Sequence, residues 1–499
     1  MDILTNLLLG LSVAATPENL MYCVIGAFIG TLVGVLPGIG PLAAIAMLLP
    51  LTFQIPPVSS LIMLSGIYYG ATHAAATTSI MLNMPGEPSA VVICLDGYPM
   101  ARQGRAGVAL AMAAISSFVA GCIGIVIITF FSPILAGAAL SFGSAEYAMV
   151  VILALGIAAT LGNKSVVIGL GMSALGLLLS TVGTDVNSGV VRFNFGLPKL
   201  YEGINIVAIA VGLFAIAETV SEMGNNLTAK RIVGRVSGLV PRWVDIKQSF
   251  PSILRGTGLG SLIGIFPGAG PLLGSFASYA MEKKVAKDPS RFGKGAIEGV
   301  TGPEAAANAA AMTNFIPMLT LGIPAGPAMA LMLSALLIQG ITPGPQVIVK
   351  YPDLFWGVIA SMWIGNLMLL VLNLPLIGIW IKLLTMPYRW LYPGVLLFCC
   401  IGVYAESSSS FDILLAAVVG VVGFVFRKLD CNPAPLVLSF VLGPMLEQNL
   451  RRALQLARGD PTVFVTRPIS LALLILAIVL MVVLARSGFR KKTAAIQDD

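Results

Sequence analysis

Long apolar stretches alternate with short polar loops along almost the whole chain. Most of these stretches approach the length that an α-helix needs to cross a bilayer, about 20 residues. The pattern predicts an all-α polytopic membrane protein with about ten to twelve transmembrane helices and additional broken or re-entrant half-helices. The predicted spans, together with shorter half-spans, lie at 18–36, 58–82, 108–132, 146–161, 164–182, 203–222, 329–348, 354–372, 374–388, 392–405, 411–426, 434–446 and 469–486.

The same short motif, Pro-Gly-x-Gly-Pro, interrupts two of the apolar stretches, at 37–41 and at 267–271. Proline removes a backbone donor and clashes with the preceding helical turn, and glycine adds conformational freedom. A regular helix is therefore not expected to continue through either motif. Because apolar sequence lies on both sides, the broken backbone is expected at membrane depth, where it must be buried in protein or line a cavity.

A second pair of interruptions follows in the same order. Residues 83–88 correspond to 322–327, and a leucine precedes each segment. Pro37 and Pro267 are 230 positions apart, whereas Asn83 and Gly322 are 239 apart, and a longer charged loop at 282–304 accommodates the difference. Paired helix breaks in two halves of a chain are a sequence indication of a transporter's binding site.

A basic segment at 223–255 divides the chain. We predict a first transmembrane repeat at 1–222, a basic cytoplasmic junction at 223–255, a second transmembrane repeat at 256–426, and C-terminal helices with a cytoplasmic tail at 427–499. No Lys or Arg precedes Arg102, whereas the flank of the second repeat is basic. The two repeats are therefore expected to have inverted topology, and the N-terminus to face away from the cytoplasm.

Composition agrees with a membrane protein. Of 499 residues, 57% are hydrophobic and 10% charged. The net charge of +7 does not indicate nucleic acid, because 11 of the 29 Lys and Arg residues lie between Lys230 and Lys294, as in cytoplasmic loops. The 6 cysteines lack Cys-x-x-Cys spacing, and His73 is the single histidine, so no metal site, no cofactor and no enzyme activity are expected.

The helix breaks supply the predicted chemistry. A broken helix presents unpaired N–H groups, which attract a carboxylate, and unpaired carbonyls, which suit Na⁺. We expect the four breaks together to hold an anion with several carboxylates beside one or two cations. The predicted substrate-binding residues are Pro37, Gly38, Gly40, Asn83, Pro85, Gly86, Pro267, Gly268, Gly270, Gly322, Pro324 and Gly326.

Polar side chains near the breaks are candidates for cation binding or polar lining. They are Thr78, Ser79, Glu87, Asn308, Asn314 and Thr320. The alternative for the uncharged ones is that they only satisfy freed backbone groups or join helices. Glu87 either binds a cation, carries a proton, or caps a helix. Asp96 and Glu304 are expected to organise loops.

The motifs and their order along the chain resemble those of the large membrane subunit of the tripartite tricarboxylate transporters, the TctA family. Besides the four breaks, the residues that carry the resemblance lie between 18 and 486. They are Asp96-Gly97-Tyr98-Pro99-Met100-Ala101, Val182-Gly183-Thr184-Asp185 with Arg192-Phe193, Gly212-Leu213-Phe214, Ser278-Tyr279 with Glu282-Lys283, Phe292-Gly293-Lys294-Gly295, Pro343-Gly344-Pro345, Leu442-Gly443-Pro444 with Glu447, and Arg458-Gly459-Asp460.

The resemblance implies a secondary transporter of the bacterial inner membrane that imports citrate or related di- or aromatic carboxylates by cation symport, typically with Na⁺. It also implies two partners, a small four-helix membrane subunit and a periplasmic solute-binding protein. Three segments depart from the family pattern, at 71–76, 304–309 and 325–326. They lie beside the predicted cavity, so the resemblance leaves open which carboxylate is the substrate.

Other functions remain open at this point. A stand-alone channel or exporter would lack genes for the two partners beside its own gene. An intramembrane enzyme would need a pair of ionisable groups at matching depth, and none is evident. A structural scaffold would not need two sets of repeated helix breaks.

Replacing Pro267 and Gly268 with alanine is expected to abolish carboxylate uptake while membrane insertion stays intact, because alanine removes the break without removing apolar length. Uptake into vesicles, beside the amount of protein in the membrane fraction, is the measurement. Wild-type uptake by this double variant would exclude both residues from the mechanism.

Overall fold

The computed structural model describes residues 3–36, 40–139, 142–159, 166–185, 188–226, 238–266, 270–383 and 388–479. The helices of the first half are α1 (Ile3–Ala14), α2 (Pro17–Val35), α3 (Pro41–Leu48), α4 (Pro57–Leu82), α5 (Cys94–Arg102), α6 (Ala106–Ala139), α7 (Ser144–Ala158), α8 (Val166–Ser180), α9 (Ile206–Ala210) and α10 (Ala217–Asn226). A π-helical turn at Val211–Ile216 joins α9 to α10, and a short antiparallel pair, β1 (Gly183–Thr184) and β2 (Val191–Arg192), follows α8.

The remaining helices follow the basic junction. They are α11 (Trp243–Ile265), α12 (Gly270–Val285), α13 (Glu298–Thr313), α14 (Phe315–Leu321), α15 (Pro327–Ile338), α16 (Val347–Lys350), α17 (Pro352–Asn373), α18 (Ile377–Leu383), α19 (Tyr388–Ser407), α20 (Ser410–Lys428), α21 (Ala434–Leu456) and α22 (Val463–Thr466), with an apolar helix at Pro468–Val479 after them. The predicted all-α polytopic class is confirmed.

Within the described residues, four helices are long and apolar enough to cross a membrane: α2, α6, α17 and α20. Other apolar helices are shorter, and two of them, at Pro41–Gln54 and Pro327–Ile338, begin directly after a helix break. The total of ten to twelve spans stays a prediction. The predicted span at 329–348 is wrong: α15 ends at Ile338, and the chain turns at Gly340, whose φ is +77°.

Each half contains a helix that stops at its Pro-Gly-x-Gly-Pro motif. In the first half α2 ends at Val35 and α3 begins at Pro41, and in the second α11 ends at Ile265 and α12 begins at Gly270. The first three residues of each motif, 37–39 and 267–269, lie outside the described residues. The helices on either side confirm that both are interrupted.

Glycines on α2 and α11 pack directly against the backbone of α4 and α13, respectively. A Cβ added to any of them would collide with a carbonyl oxygen of the partner helix. The pairs on α2 and α4 are Gly26 with Met63, Gly30 with Ile67, and Gly34 with Ala71; those on α11 and α13 are Gly256 with Gly302, Gly260 with Ala306, and Gly264 with Ala310. In each series the residue numbers of the two contacting partners rise together, so α2 is parallel to α4 and α11 is parallel to α13.

The two series are related by the repeat that the breaks predict. Met63 and Gly302 are 239 positions apart, the same offset as between Asn83 and Gly322. Asn83 and Gly322 also share a left-handed backbone, with φ of 56° and 70°, at the ends of their helices. The two halves therefore use the same local packing at corresponding positions.

The parallel packing requires the chain to reverse between α2 and α4. Asn19 near the start of α2 accepts a 2.6 Å hydrogen bond from Ser59 near the start of α4. From Asn19 to Gly34, α2 rises by about 22 Å, and α3 with the 3₁₀ turn Leu49–Gln54 returns about 24 Å. Hairpin 1, α2 with α3, thus has the motif at its tip.

The second half reverses in the same way. Arg255 of α11 pairs with Glu282 of α12 through an N–O distance of 2.8 Å, and Gly260 lies beside Gly274. Since one residue number rises as the other falls, α11 and α12 are antiparallel. They form hairpin 2, whose tip again is the motif.

The two long helices against which the hairpins pack, α4 and α13, run in opposite directions. Tyr68, in the first half of α4, packs its ring 6.1 Å from that of Phe315, just beyond α13. Ile80, near the end of α4, belongs to the same apolar cluster as Ile297 and Val300 at the start of α13. The end of α4 therefore lies where α13 begins.

Asp96 of α5, close to the end of α4, is hydrogen-bonded to the second half of the chain. Its Oδ1 accepts hydrogen bonds from the backbone N–H groups of Gly293, Gly295 and Ala296 at 2.9, 2.8 and 2.8 Å, and its Oδ2 accepts one from the Tyr279 hydroxyl at 2.9 Å. The expectation that Asp96 organises a loop is confirmed.

Gly260→Ala should destabilise the protein, because its Cβ would collide with the Ala306 carbonyl and force α11 away from α13. Gly258→Ala on the same helix is the matched control, since no atom lies within 4 Å of its Cβ position. We expect the first variant to lower the thermal midpoint in detergent by several degrees, and the second to leave it unchanged or raise it. Equal midpoints would contradict the packing described here.

Candidate functional site

The two hairpin tips lie beside the middle of α4 and of α13, respectively. Gly34, beside tip 1, packs on Ala71 of α4, and Gly264, beside tip 2, packs on Ala310 of α13. Each contact lies roughly 15–20 Å from either end of the helical segment 57–82 or 298–321. The tips therefore reach the middle of helices that are about as long as a bilayer is thick.

The break at residues 83–88, after α4, is called the third break, and it folds back towards the middle of α4. Asn83 ends α4 in the left-handed conformation, with φ of 56°. Gly86 then packs so closely on the carbonyl of Gly34 and on Ala75 that a Cβ there would collide with both. Residues 84–87 thus run inward along α4 and bring Glu87 to the level of Thr72.

Glu87 is buried with only uncharged partners. Its Oε2 accepts a 3.4 Å hydrogen bond from the Thr72 hydroxyl, and its Oε1 accepts a short one from Ser89. No Lys, Arg or His in the described part of the chain pairs with it. A carboxylate in this position is stabilised by binding a cation or a proton, since isolated charge is costly in a dry interior.

Asn314 connects hairpin 2 to α4. In the amide orientation that satisfies both of its polar atoms, it donates to the carbonyl oxygens of Gly264 at 2.8 Å and Ala310 at 3.2 Å. Its Oδ1 accepts from the Tyr68 hydroxyl at 2.9 Å. The side chain therefore satisfies a carbonyl that the break leaves without its helical donor.

Each hairpin also contacts the segment that follows a break in the other half. Ser275 of α12 donates a 2.6 Å hydrogen bond to the carbonyl oxygen of Ser89, just after the third break. In the reciprocal contact, α3 of hairpin 1 packs its apolar face on α15, which follows the fourth break. Such reciprocal use of equivalent surfaces is typical of two-fold related units.

A second buried carboxylate lies beside the first. Glu304 accepts hydrogen bonds from the Ser117 hydroxyl at 2.6 Å and the Asn308 amide at 2.9 Å. The expectation that Glu304 organises a loop is wrong, because the residue lies within α13, where its burial depends on packing against α6. Asn308 belongs to this cluster.

Three of the predicted polar residues bond to carbonyls of their own helix. Thr78 donates to Ala75 at 3.0 Å, Ser79 to Ala75 at 3.2 Å, and Thr320 to Ile316 at 2.6 Å. Ser79 also donates to Ala90 at 3.0 Å, beyond the third break. These contacts fit the alternative that such residues satisfy backbone groups.

The fourth break, residues 322–327, contacts the loop after α15. A Cβ at Gly322 would lie 2.8 Å from the Pro343 carbonyl oxygen, in the loop after α15. Gly326 is extended and precedes α15, and Gly40 similarly precedes α3. Pro85 and Pro324 lie in the loops after α4 and α14. The four predicted residues Pro37, Gly38, Pro267 and Gly268 lie outside the described residues.

Several central residues were absent from the predicted set: Tyr68, Thr72, Ser89, Ser117 and Ser275. Tyr68 is one of a pair of adjacent tyrosines in an otherwise small-residue helix, and that is a sequence signal. The serines and the threonine carry no signal of their own, because their position depends on contacts between the two halves.

Taken together, the fold and this interior polar site define a multi-pass α-helical membrane protein whose two halves meet at interrupted helices. The family model described as the tripartite tricarboxylate transporter TctA family matches residues 20–438. The chain belongs to this transporter family, and the resemblance stated from its motifs is confirmed.

Two relatives come from Agrobacterium vitis. One, described as "Uncharacterized 52.8 kDa protein in TAR-I ttuC' 3'region", is 52% identical over 492 residues, which cover 99% of this chain and 98% of the relative. The other, "Uncharacterized protein in TAR-II ttuC' 3'region", is 55% identical over 242 residues, 48% of this chain and 100% of the relative. No solved structure matches the chain.

Tyr68→Phe should weaken the junction between the halves, because it removes the hydroxyl that Asn314 binds and keeps the ring packing. The expected loss is about 1–3 kcal/mol of unfolding free energy. Tyr98→Phe is the control, since the Tyr98 hydroxyl makes no hydrogen bond in the described structure. If thermal unfolding in detergent does not separate the two variants, the bond does not join the halves.

Proposed function

We propose that this chain is the large transmembrane subunit of a binding-protein-dependent secondary transporter in the bacterial inner membrane. It imports citrate or a related di-, tri- or aromatic carboxylate by cation symport, with Na⁺ as the coupling ion. Its partners are a small four-helix membrane subunit and a periplasmic solute-binding protein. One observation carries the proposal: two hairpins, one from each half, reach the middle of the long helices beside the uncompensated carboxylate of Glu87.

The anion is held by backbone at the hairpin tips. The helices α3 and α12 begin at these tips, and Gly40 provides no side chain to cap the first N–H groups of α3. Uncapped N–H groups and the positive end of the helix dipole attract carboxylate without a buried Lys or Arg. This arrangement is supported by the apolar composition around both tips.

The cation is held by the carboxylates beside the tips. Glu87 has two hydroxyl partners and Glu304 has a hydroxyl and an amide, all of them oxygen or nitrogen groups without charge. A bound Na⁺ would supply the positive charge that this region otherwise lacks, and would lower the cost of bringing a carboxylate to the same place. Anion and cation would then bind together, which is the basis of symport.

We further infer that the two repeats are inverted. The observations in favour are that α2 is parallel to α4, α11 is parallel to α13, and α4 and α13 run in opposite directions. The basic residues Lys283, Lys284 and Lys287 lie around the end of α12, as expected for a cytoplasmic loop. Inverted repeats around a central site allow access to alternate between the two membrane faces.

Glu87→Gln should reduce ion-driven uptake by at least about tenfold, because a neutral amide cannot supply the charged ligand. The measurement is uptake of labelled citrate into vesicles that contain the complete transporter, with and without an inward Na⁺ gradient. Glu18→Gln, at the exposed start of α2, is the control and should transport normally.

Two results would contradict this proposal. Uptake that ignores every ion gradient would exclude symport. Normal gradient-driven uptake by Glu87→Gln would leave symport in place but remove Glu87 from the cation site.

A further inference from the structure

A cavity of about 510 Å³ lies apart from the central site. It is formed where the end of α6, the start of α7, the loop 340–351 and the end of α21 meet. Its volume falls in the range of about 300–1,000 Å³ that is typical of sites for small molecules. Hydroxyl and amide groups of Ser144, Tyr147, Thr342 and Asn449 contribute to its wall.

The charge of this cavity is entirely positive among the described residues. Lys350 and Arg452 line it, and no Asp or Glu does. Neither cation takes part in an ion pair within the described structure. The adjacent Arg451 differs, because it pairs with Asp185 at 2.8 Å and with Glu447 at 2.6 Å.

The nearest acidic residues on α7 and α21 are already neutralised, and Asp353, three residues beyond Lys350, does not line the cavity. Glu146, near the start of α7, pairs with Arg467 at 2.9 Å, and Glu447 of α21 pairs with Arg192 at 2.8 Å. The positive charge of Lys350 and Arg452 is therefore available to a ligand. Both side chains are exposed, so an anion from solution can reach them.

The cavity adjoins the fourth break. Pro343 lines it and also supplies the carbonyl oxygen against which Gly322 packs. The cavity therefore lies beside a segment in which the sequence predicts the substrate-binding residues Gly322, Pro324 and Gly326.

The cavity opens on the face where α4 begins. Just beyond Lys350, α17 starts at Pro352, and its Gly357 packs against Val58 at the start of α4. The basic loop after α12 lies at the opposite face, where Asp96 holds it. By the positive-inside rule, the cavity faces away from the cytoplasm.

We infer that this cavity is a second binding site for polycarboxylate anions, which receives the substrate on the outer face before it reaches the hairpin tips. The inference rests on the proposed function for the identity of the anion. Lys350 and Arg452 bind two carboxylates of one molecule, and the hydroxyl and amide groups complete its coordination. Phosphate groups share this chemistry, so a lipid headgroup is the competing source of an anion.

The reactivity of the Lys350 amine, compared with that of other lysines, tests the inference. The full-length protein in lipid nanodiscs is treated with an amine-reactive acetylating reagent, with increasing citrate or inorganic phosphate, and acetylation of each lysine is followed by mass spectrometry. Citrate should protect Lys350, and Arg452→Gln should raise the citrate concentration for half-protection about tenfold. Lys199, exposed outside the cavity, is the internal control and should not be protected.

Acetylation of Lys350 at the same rate with and without saturating citrate would overturn the inference. So would protection by phosphate at the same concentration as citrate, which would assign the cavity to a phosphate headgroup. Because protection from acetylation reports binding in the absence of an ion gradient, it is independent of transport. Protection of Lys350 in a protein that shows no uptake would leave the cavity site standing and overturn the symport proposal instead.

Discussion

Interrupted backbone inside a membrane has to be buried and hydrogen-bonded, and this constraint governs the whole molecule. Lipid offers no partner for freed N–H and carbonyl groups, so each helix break requires enclosure by protein. Glycines make the enclosure close: at Gly34 and Gly264 the helices approach until backbone meets backbone. Asn314 then donates to the Gly264 carbonyl at 2.8 Å, which replaces a lost helical hydrogen bond. The glycines matter for the space that they leave to a neighbouring helix.

The same contacts that enclose the tips also join the two halves. Ser275 of hairpin 2 bonds to Ser89 of the first half, and Tyr68 of the first half bonds to Asn314 of the second. These hydrogen bonds directly link each half to the other beside the tips. Under the proposed function, this linkage lets binding of an anion at the tips and of a cation near Glu87 stabilise one arrangement of the halves. Both events would then favour the same state, as coupled transport requires.

The helix breaks and their repeat spacing could be predicted from sequence, because Pro and Gly act locally on the backbone. The family could be predicted because its short motifs, at the breaks and elsewhere along the chain, are legible in the sequence itself. Tertiary contacts carried no such signal. Glu304 was assigned to a loop, yet it is buried in α13 by contact with Ser117 of α6. The span at 329–348 was predicted from apolar content alone, and the turn at Gly340 ends its helix early. The outer cavity also depends on four distant segments meeting, which no local pattern reveals.

The convergence of the two halves at the hairpin tips is tested most directly by cross-linking. A variant without the 6 native cysteines carries Ser89→Cys and Ser275→Cys, with a protease site in the basic junction. The Ser275 hydroxyl lies 2.6 Å from the Ser89 carbonyl oxygen, so a short thiol cross-linker should hold the cleaved halves in one band. The pair Ser59→Cys and Ser275→Cys, with Ser59 near the start of α4, should separate into two fragments. Separation of the Ser89–Ser275 pair as well would contradict the account.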